Sequence, residues 1–99
     1  MPAYFVVNIE VTDPEGFERY RAEVPAVIAR FGGRYLVRGG ALHWIEGSLP
    51  LQRLVILEFP SMQAARAFYD SAEYAPLLKL RLATTRSDVV LVDGYQPPA

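Results

Sequence analysis

Hydrophobic and other residues alternate over positions 3–11 (AYFVVNIEV). Phe5, Val7, Ile9 and Val11 fall on one face of an extended chain, and Tyr4, Val6, Asn8 and Glu10 on the other. The density of β-branched and aromatic side chains predicts a strand. At Thr12 the period changes. Thr12 or Asp13 can cap a helix, Pro14 suits its first turn, and Thr12 with Glu15 fits a capping box. Phe17, Tyr20, Val24, Val27, Ile28 and Phe31 then recur at spacings of three and four, the buried stripe of an amphipathic helix. Pro25 removes a backbone donor inside that stripe and predicts a bend. Gly32-Gly33 ends the helix.

Two short extended runs follow, 34–38 (RYLVR) and 41–46 (ALHWIE), around Gly39-Gly40, and they predict a hairpin or a bulged, bent strand. Residues 47–52 form a loop. Residues 53–59 (RLVILEF) are the most strand-like stretch and predict a central strand, with Val55, Leu57 and Phe59 on its covered face. Pro60-Ser61 opens a helix through about Asp70, with Ala64, Ala65, Phe68 and Tyr69 inward. A shorter helix covers 73–81, with Pro76 near its first turn, and 86–93 (RSDVVLVD) is the last strand. The order predicts an α+β fold, ferredoxin-like βαββαβ, with an antiparallel sheet and helices on one face. Right-handed crossovers are expected to set the first strand and the 53–59 strand side by side in parallel at the centre.

Helices on one face leave the other face open. Tyr4, Val6, Asn8 and Glu10 share it with Leu54, Ile56 and Glu58, and Val90 and Val92 can join them. Such a surface predicts a homodimer formed through the open sheet face about a two-fold axis. Composition agrees with that expectation. The chain has 99 residues, enough for a single domain over 1–99, yet 52% are hydrophobic and 12% aromatic. A net charge of −1 supplies no basic field for nucleic acid. There is no cysteine, hence no disulfide framework or thiolate metal site. No apolar run is long enough to span a membrane, and no signal peptide is read, so a cytoplasmic protein is expected.

The stretches IEVTDPEGFERYRAEVPAVIARFGGRYLVRGG, LVILEFPSMQAARAFYDSAEYAPLLKLR and SDVVLVDG cover nearly the whole chain. With RGG, LEFPS and a following S-x-E-Y, they resemble the bacterial domain-of-unknown-function family thirteen-thirty, of the dimeric α+β barrel superfamily. The resemblance implies ferredoxin-like protomers meeting sheet to sheet, with a pocket between sheet and helices. It implies no particular reaction.

Several residues are candidates for chemistry. Glu10 and Glu58 are expected on adjacent parallel strands near their carboxyl ends, where paired carboxylates would raise a pKa and suit a general base. The plainer reading is an ion pair with Arg34, Arg38 or Arg86. Arg38 with Gly39-Gly40 can present a guanidinium and free amides to an anion, or serve only as a turn. His43, the one histidine, has a suitable pKa for proton transfer but no companions for a metal or haem site. Asn8 must be hydrogen-bonded if buried. Some barrel relatives use a first-strand asparagine to orient a substrate, and the resemblance places Asn8 there. The tryptophan or histidine that those relatives carry on the second helix is replaced by Tyr69 or Tyr74. Tyr74, Glu73 and Arg81 either close the mouth of a pocket or decorate a surface helix.

The expected function is therefore binding of a small acidic or phenolic metabolite, with turnover that needs no cofactor or metal as its extension. Arg38 would hold the anion, with Tyr69, Tyr74 and Arg81 lining the pocket. Asn8 would orient the substrate, and Glu58 or His43 would move a proton. The alternative is a non-catalytic dimerisation or interaction module.

Overall fold

A computed structural model describes residues 1–98. Its elements run β1 (Ala3–Val11), α1 (Pro14–Arg30), β2 (Arg34–Arg38), β3 (Arg53–Phe59), α2 (Met62–Tyr69), α3 (Ala75–Thr84) and β4 (Thr85–Asp93). The four strands form one sheet in the order β2-β3-β1-β4, and the helices lie on one side. This is the expected α+β, ferredoxin-like βαββαβ architecture, with the second helical unit split in two.

The central pairing differs from expectation. β1 and β3 are antiparallel, as are β1 with β4 and β2 with β3. The crossover through α1 carries the chain one strand position beyond β1's neighbour. The returning β3 then fills the gap from the opposite direction. One consequence is that Glu58 pairs with Tyr4 while Glu10 pairs with Arg86. The two carboxylates share a face but lie about 20 Å apart along the sheet, at roughly 3.3 Å per residue. They form no dyad.

Alternation along β1 holds. Ala3, Phe5, Val7 and Ile9 are buried beneath the helices. Phe59 is fully enclosed, with the Phe5 ring edge-on at 5.7 Å and the Phe68 ring at 5.2 Å. Edge-on and tilted pairs of this kind suit the ring quadrupoles and add to the area they bury.

α1 begins at Asp13, whose carboxylate accepts from the Gly16 amide at 3.2 Å, so Asp13 is the cap and the Thr12–Glu15 box does not form. Gly32, at a φ of +85°, ends the helix in the left-handed region. Ser61 caps α2 by accepting from the Ala64 amide.

The hairpin expected over 34–46 forms only in its first half. Residues 41–46 form no strand, and a loop runs from 39 to 52. Gly39, at a φ of +70°, turns the chain out of β2. β2 is an edge strand of the sheet, yet no segment among the described residues pairs with its outer side.

Candidate functional site

Between the sheet and the helices lies a cavity of about 60 Å³. Its walls are apolar and aromatic, with Phe5, Val7 and Ile9 from β1, Phe17 and Val24 from α1, and Phe68 from α2. Its polar lining is one-sided. Four arginines (Arg21, Arg38, Arg53 and Arg81) and four tyrosines (Tyr20, Tyr35, Tyr69 and Tyr74) reach it, and none of the lining residues is an aspartate, glutamate or histidine.

Arg81 is the deepest of these charges, only 3% exposed. Its Nε donates to the Tyr74 hydroxyl at 3.3 Å and one Nη donates to the Ser87 hydroxyl. The Tyr74 oxygen is in turn 2.9 Å from that of Tyr20. Burial works against the Arg81 charge, but Tyr74 and Tyr20 outweigh it and the guanidinium is held more firmly protonated than usual. Burial, and then Tyr74, push the Tyr20 phenol far above its ordinary value. Burial raises Tyr35 as well, with Arg38 working the other way. Tyr20 and Tyr35 therefore remain protonated at neutral pH.

Two backbone irregularities bring Arg38 to the cavity. Register slips between Tyr35 and Val37, so that Tyr35 pairs with Leu57 and Arg38 with Val55. Leu57 and Val55 both face the helices, so the bulge at Leu36 swings Arg38 to that side, where strict alternation would have put it on the open face. On α1, Pro25 has no N–H for the Arg21 carbonyl four residues earlier. Arg38 Nη2 takes that place, donating to the Arg21 oxygen at 2.9 Å. Its guanidinium also lies 4.6 Å over the Tyr35 ring, and Arg53 lies 5.5 Å over Phe17. Despite Pro25, α1 runs as one helix from Pro14 to Arg30.

The residues singled out in the sequence divide into two groups. Arg38, Tyr69, Tyr74 and Arg81 line the cavity together. Asn8, Glu58 and His43 do not line it. Asn8 points to the open face and secures the end of the 39–52 loop: its Oδ1 accepts from the Gln52 amide at 2.8 Å. Its Nδ2 donates to the Pro50 carbonyl and to Gln52 Oε1, each at 3.3 Å. Glu58 also lies on the open face, where Arg34 Nε donates to Oε1 at 2.7 Å and the Tyr4 hydroxyl donates to Oε2 at 3.1 Å. Arg34, with help from Tyr4, holds that carboxyl below the usual glutamate range against the opposing effect of burial. His43 is exposed in the loop, and Glu73 is exposed in a groove between α1 and α3.

Sequence reasoning missed Arg53, Tyr20, Tyr35 and Ser87. A signal existed for Arg53, because the alternation that buries Val55 and Leu57 also turns residue 53 toward the helices. The spacing along α1 puts Tyr20 on the buried stripe but gives no role to its hydroxyl.

Among the described residues no cluster of three or more histidines, cysteines, aspartates or glutamates could hold a metal ion. No helix among the described residues is long and apolar enough to cross a membrane.

Solved structures share this fold. A protein of unknown function from Rhodopseudomonas palustris superposes with a TM-score of 0.77 at 19% identity, over 97% of this chain and 84% of that one. SnoaB, a cofactor-independent oxygenase from Streptomyces nogalater, gives 0.65 at 19% identity, over 97% and 95%. A dimeric ferredoxin-like protein of unknown function from Jannaschia sp. CCS1 gives 0.65 at 16% identity, over 95% and 100%. At such identities the likeness extends to the fold alone. No curated protein matches the chain. Residues 2–95 match the model of the family described as Domain of unknown function (DUF1330), and the chain belongs to that family.

Proposed function

We propose that this protein is a homodimer that binds a small acidic or phenolic metabolite in the cavity between sheet and helices. One observation carries the reading: the buried Arg81 lines an apolar, aromatic cavity to which three further arginines contribute and no aspartate or glutamate does. A buried cation without an ionic partner is costly, and an anionic ligand offsets that cost when it binds. The aromatic walls suit the apolar body of such a ligand. Turnover without a cofactor is the extension of this reading that the fold shared with SnoaB supports.

The dimer rests on the open face. Val90 and Val92 are 58% and 46% exposed beside Val6 and Ile56, and the Jannaschia protein of the same fold is dimeric. Light scattering at micromolar concentration should return twice the chain mass. A strict monomer would remove the dimer from the proposal.

Thermal shifts with a panel of small acids and phenols test the binding. A ligand selective for the folded state raises the midpoint in proportion to the logarithm of its concentration. No shift from any member would remove the binding reading. The second reading, a non-catalytic dimerisation module, is favoured by the Tyr4–Glu58–Arg34 cluster on the open face. It predicts that Glu58→Gln alters association, while Arg81 and Tyr74 variants change no ligand response.

A further inference from the structure

We infer that the ligand of this cavity is a carboxylate carrying an apolar ring, ionised before it arrives, with Arg81 as its counter-ion. The inference rests on the binding reading above and narrows it from acids and phenols to acids alone.

Arg81 has donors to spare. Nε and one Nη are engaged by Tyr74 and Ser87, and the second Nη makes no hydrogen bond among the described residues. Yet no fully buried side-chain nitrogen or oxygen among them lacks a partner. That second Nη must therefore touch free space, and the cavity is the space Arg81 lines. A guanidinium offering N–H groups into an apolar enclosure is matched by a carboxylate, which accepts two at once.

The choice between a carboxylate and a phenol follows from what the cavity lacks. A neutral phenol would have to lose its proton there to become the anion that Arg81 calls for. The polar groups that line the cavity with Arg81 or bond to it are Tyr20 and Arg21 from α1, Tyr35 and Arg38 from β2, and Arg53 from β3. Tyr69 at the end of α2, Tyr74 ahead of α3, and Ser87 on β4 complete the set. Arginine never gives up its proton in proteins, and a protonated phenol or a serine hydroxyl is no base at neutral pH. Glu58 and His43 lie outside the cavity. With no proton acceptor in the lining, the ligand must bring its own charge.

Size sets the pose. The free volume of about 60 Å³ corresponds to a few water-sized spheres, at roughly 10–15 Å³ each, whereas a dry cavity of about 150 Å³ houses benzene. The carboxylate therefore fits at Arg81, and the ring lies toward solvent, beside Tyr35 and the exposed Arg38 and Arg21.

Calorimetric titration of the intact protein with benzoate, its neutral isostere benzamide, and phenol tests this. Benzoate should bind at least about tenfold more tightly than benzamide or phenol at neutral pH. Its affinity should stay constant from mildly acidic to mildly alkaline pH, because the lining holds no aspartate, glutamate or histidine. Arg81→Gln should abolish the preference. Tyr74→Phe, which keeps the ring and loses the hydroxyl that orients Arg81, should reduce it and serves if Arg81→Gln does not fold. Benzamide or phenol binding as well as benzoate would overturn the carboxylate inference and leave the binding reading standing. If neither these three nor any member of the acid and phenol panel binds, both fall.

Discussion

Arg38 donates to the carbonyl of Arg21 at 2.9 Å, and that carbonyl is the one Pro25 leaves without its helical donor. A proline in mid-helix thus creates an acceptor at the cavity mouth, and the bulge at Leu36 delivers a guanidinium to it. Pro25→Ala restores the N–H and returns the Arg21 oxygen to the helix. Relief of the proline penalty, of order 3 kcal/mol in a helix interior, less the lost Arg38 bond, should leave the variant about 1–2 kcal/mol more stable. Urea unfolding reads the gain, and acid affinity should fall because Arg38 is no longer held. A variant that is less stable would show that the helix is adapted to the proline in some other way.

Glu58 makes acid stability specific. Its folded pKa is depressed by Arg34 and Tyr4, so its contribution is present above the ordinary glutamate value of about 4.3 and is lost as pH falls through the lowered folded value. The urea midpoint of Glu58→Gln should therefore fall less steeply than that of the parent in this acidic range. Parallel curves would mean that the Arg34–Glu58 pair contributes nothing measurable.

Two neighbouring glycine pairs predict opposite outcomes. A Cβ on Gly33 would lie 2.6 Å from Phe59 Cζ and 2.8 Å from Ile28 Cγ2, both in the core. Gly33→Ala should cost about 1–3 kcal/mol, as overpacking does. A Cβ on Gly40 meets nothing within 4 Å, and Gly40→Ala should stay within about 0.5 kcal/mol of the parent. Thermal midpoints of the two variants provide the comparison.

Asn8 ties the 39–52 loop to β1 through both ends of its amide. Asn8→Ala should cost about 1–2 kcal/mol and speed amide exchange at Gln52, whose N–H loses its acceptor. Exchange unchanged at Gln52 would count against that role.

Most of the architecture was legible from alternation in β1 and β3 and from the three-and-four spacing in α1, because those periods record which side each residue buries. Strand direction was not, since a period of two is the same read either way, and the Glu10–Glu58 pairing failed with it. The 41–46 run has the composition of a strand, but Gly39 turns the chain away from the free edge of β2 and the run pairs with nothing there. Arg38 was singled out for its chemistry, while its place in the cavity depends on a bulge that alternation cannot show. Tyr69, Tyr74 and Arg81 were drawn together from different parts of the second helical unit, and the structure brings them to one cavity. The hydrogen bonds that link Tyr20, Tyr74 and Arg81 are contacts between distant segments, invisible to any local pattern.

The cavity as a ligand site is tested most directly by following the arginine Nε–Hε groups in nitrogen-edited NMR during a benzoate titration. The Nε–H of Arg81 is bonded to Tyr74 in a side chain only 3% exposed, so its signal should persist. The Arg81 and Arg38 signals should shift together and saturate at one ligand per chain, while that of Arg34, on the open face, stays in place. Shifts confined to Arg34, or no shift at Arg81 up to millimolar benzoate, would contradict it.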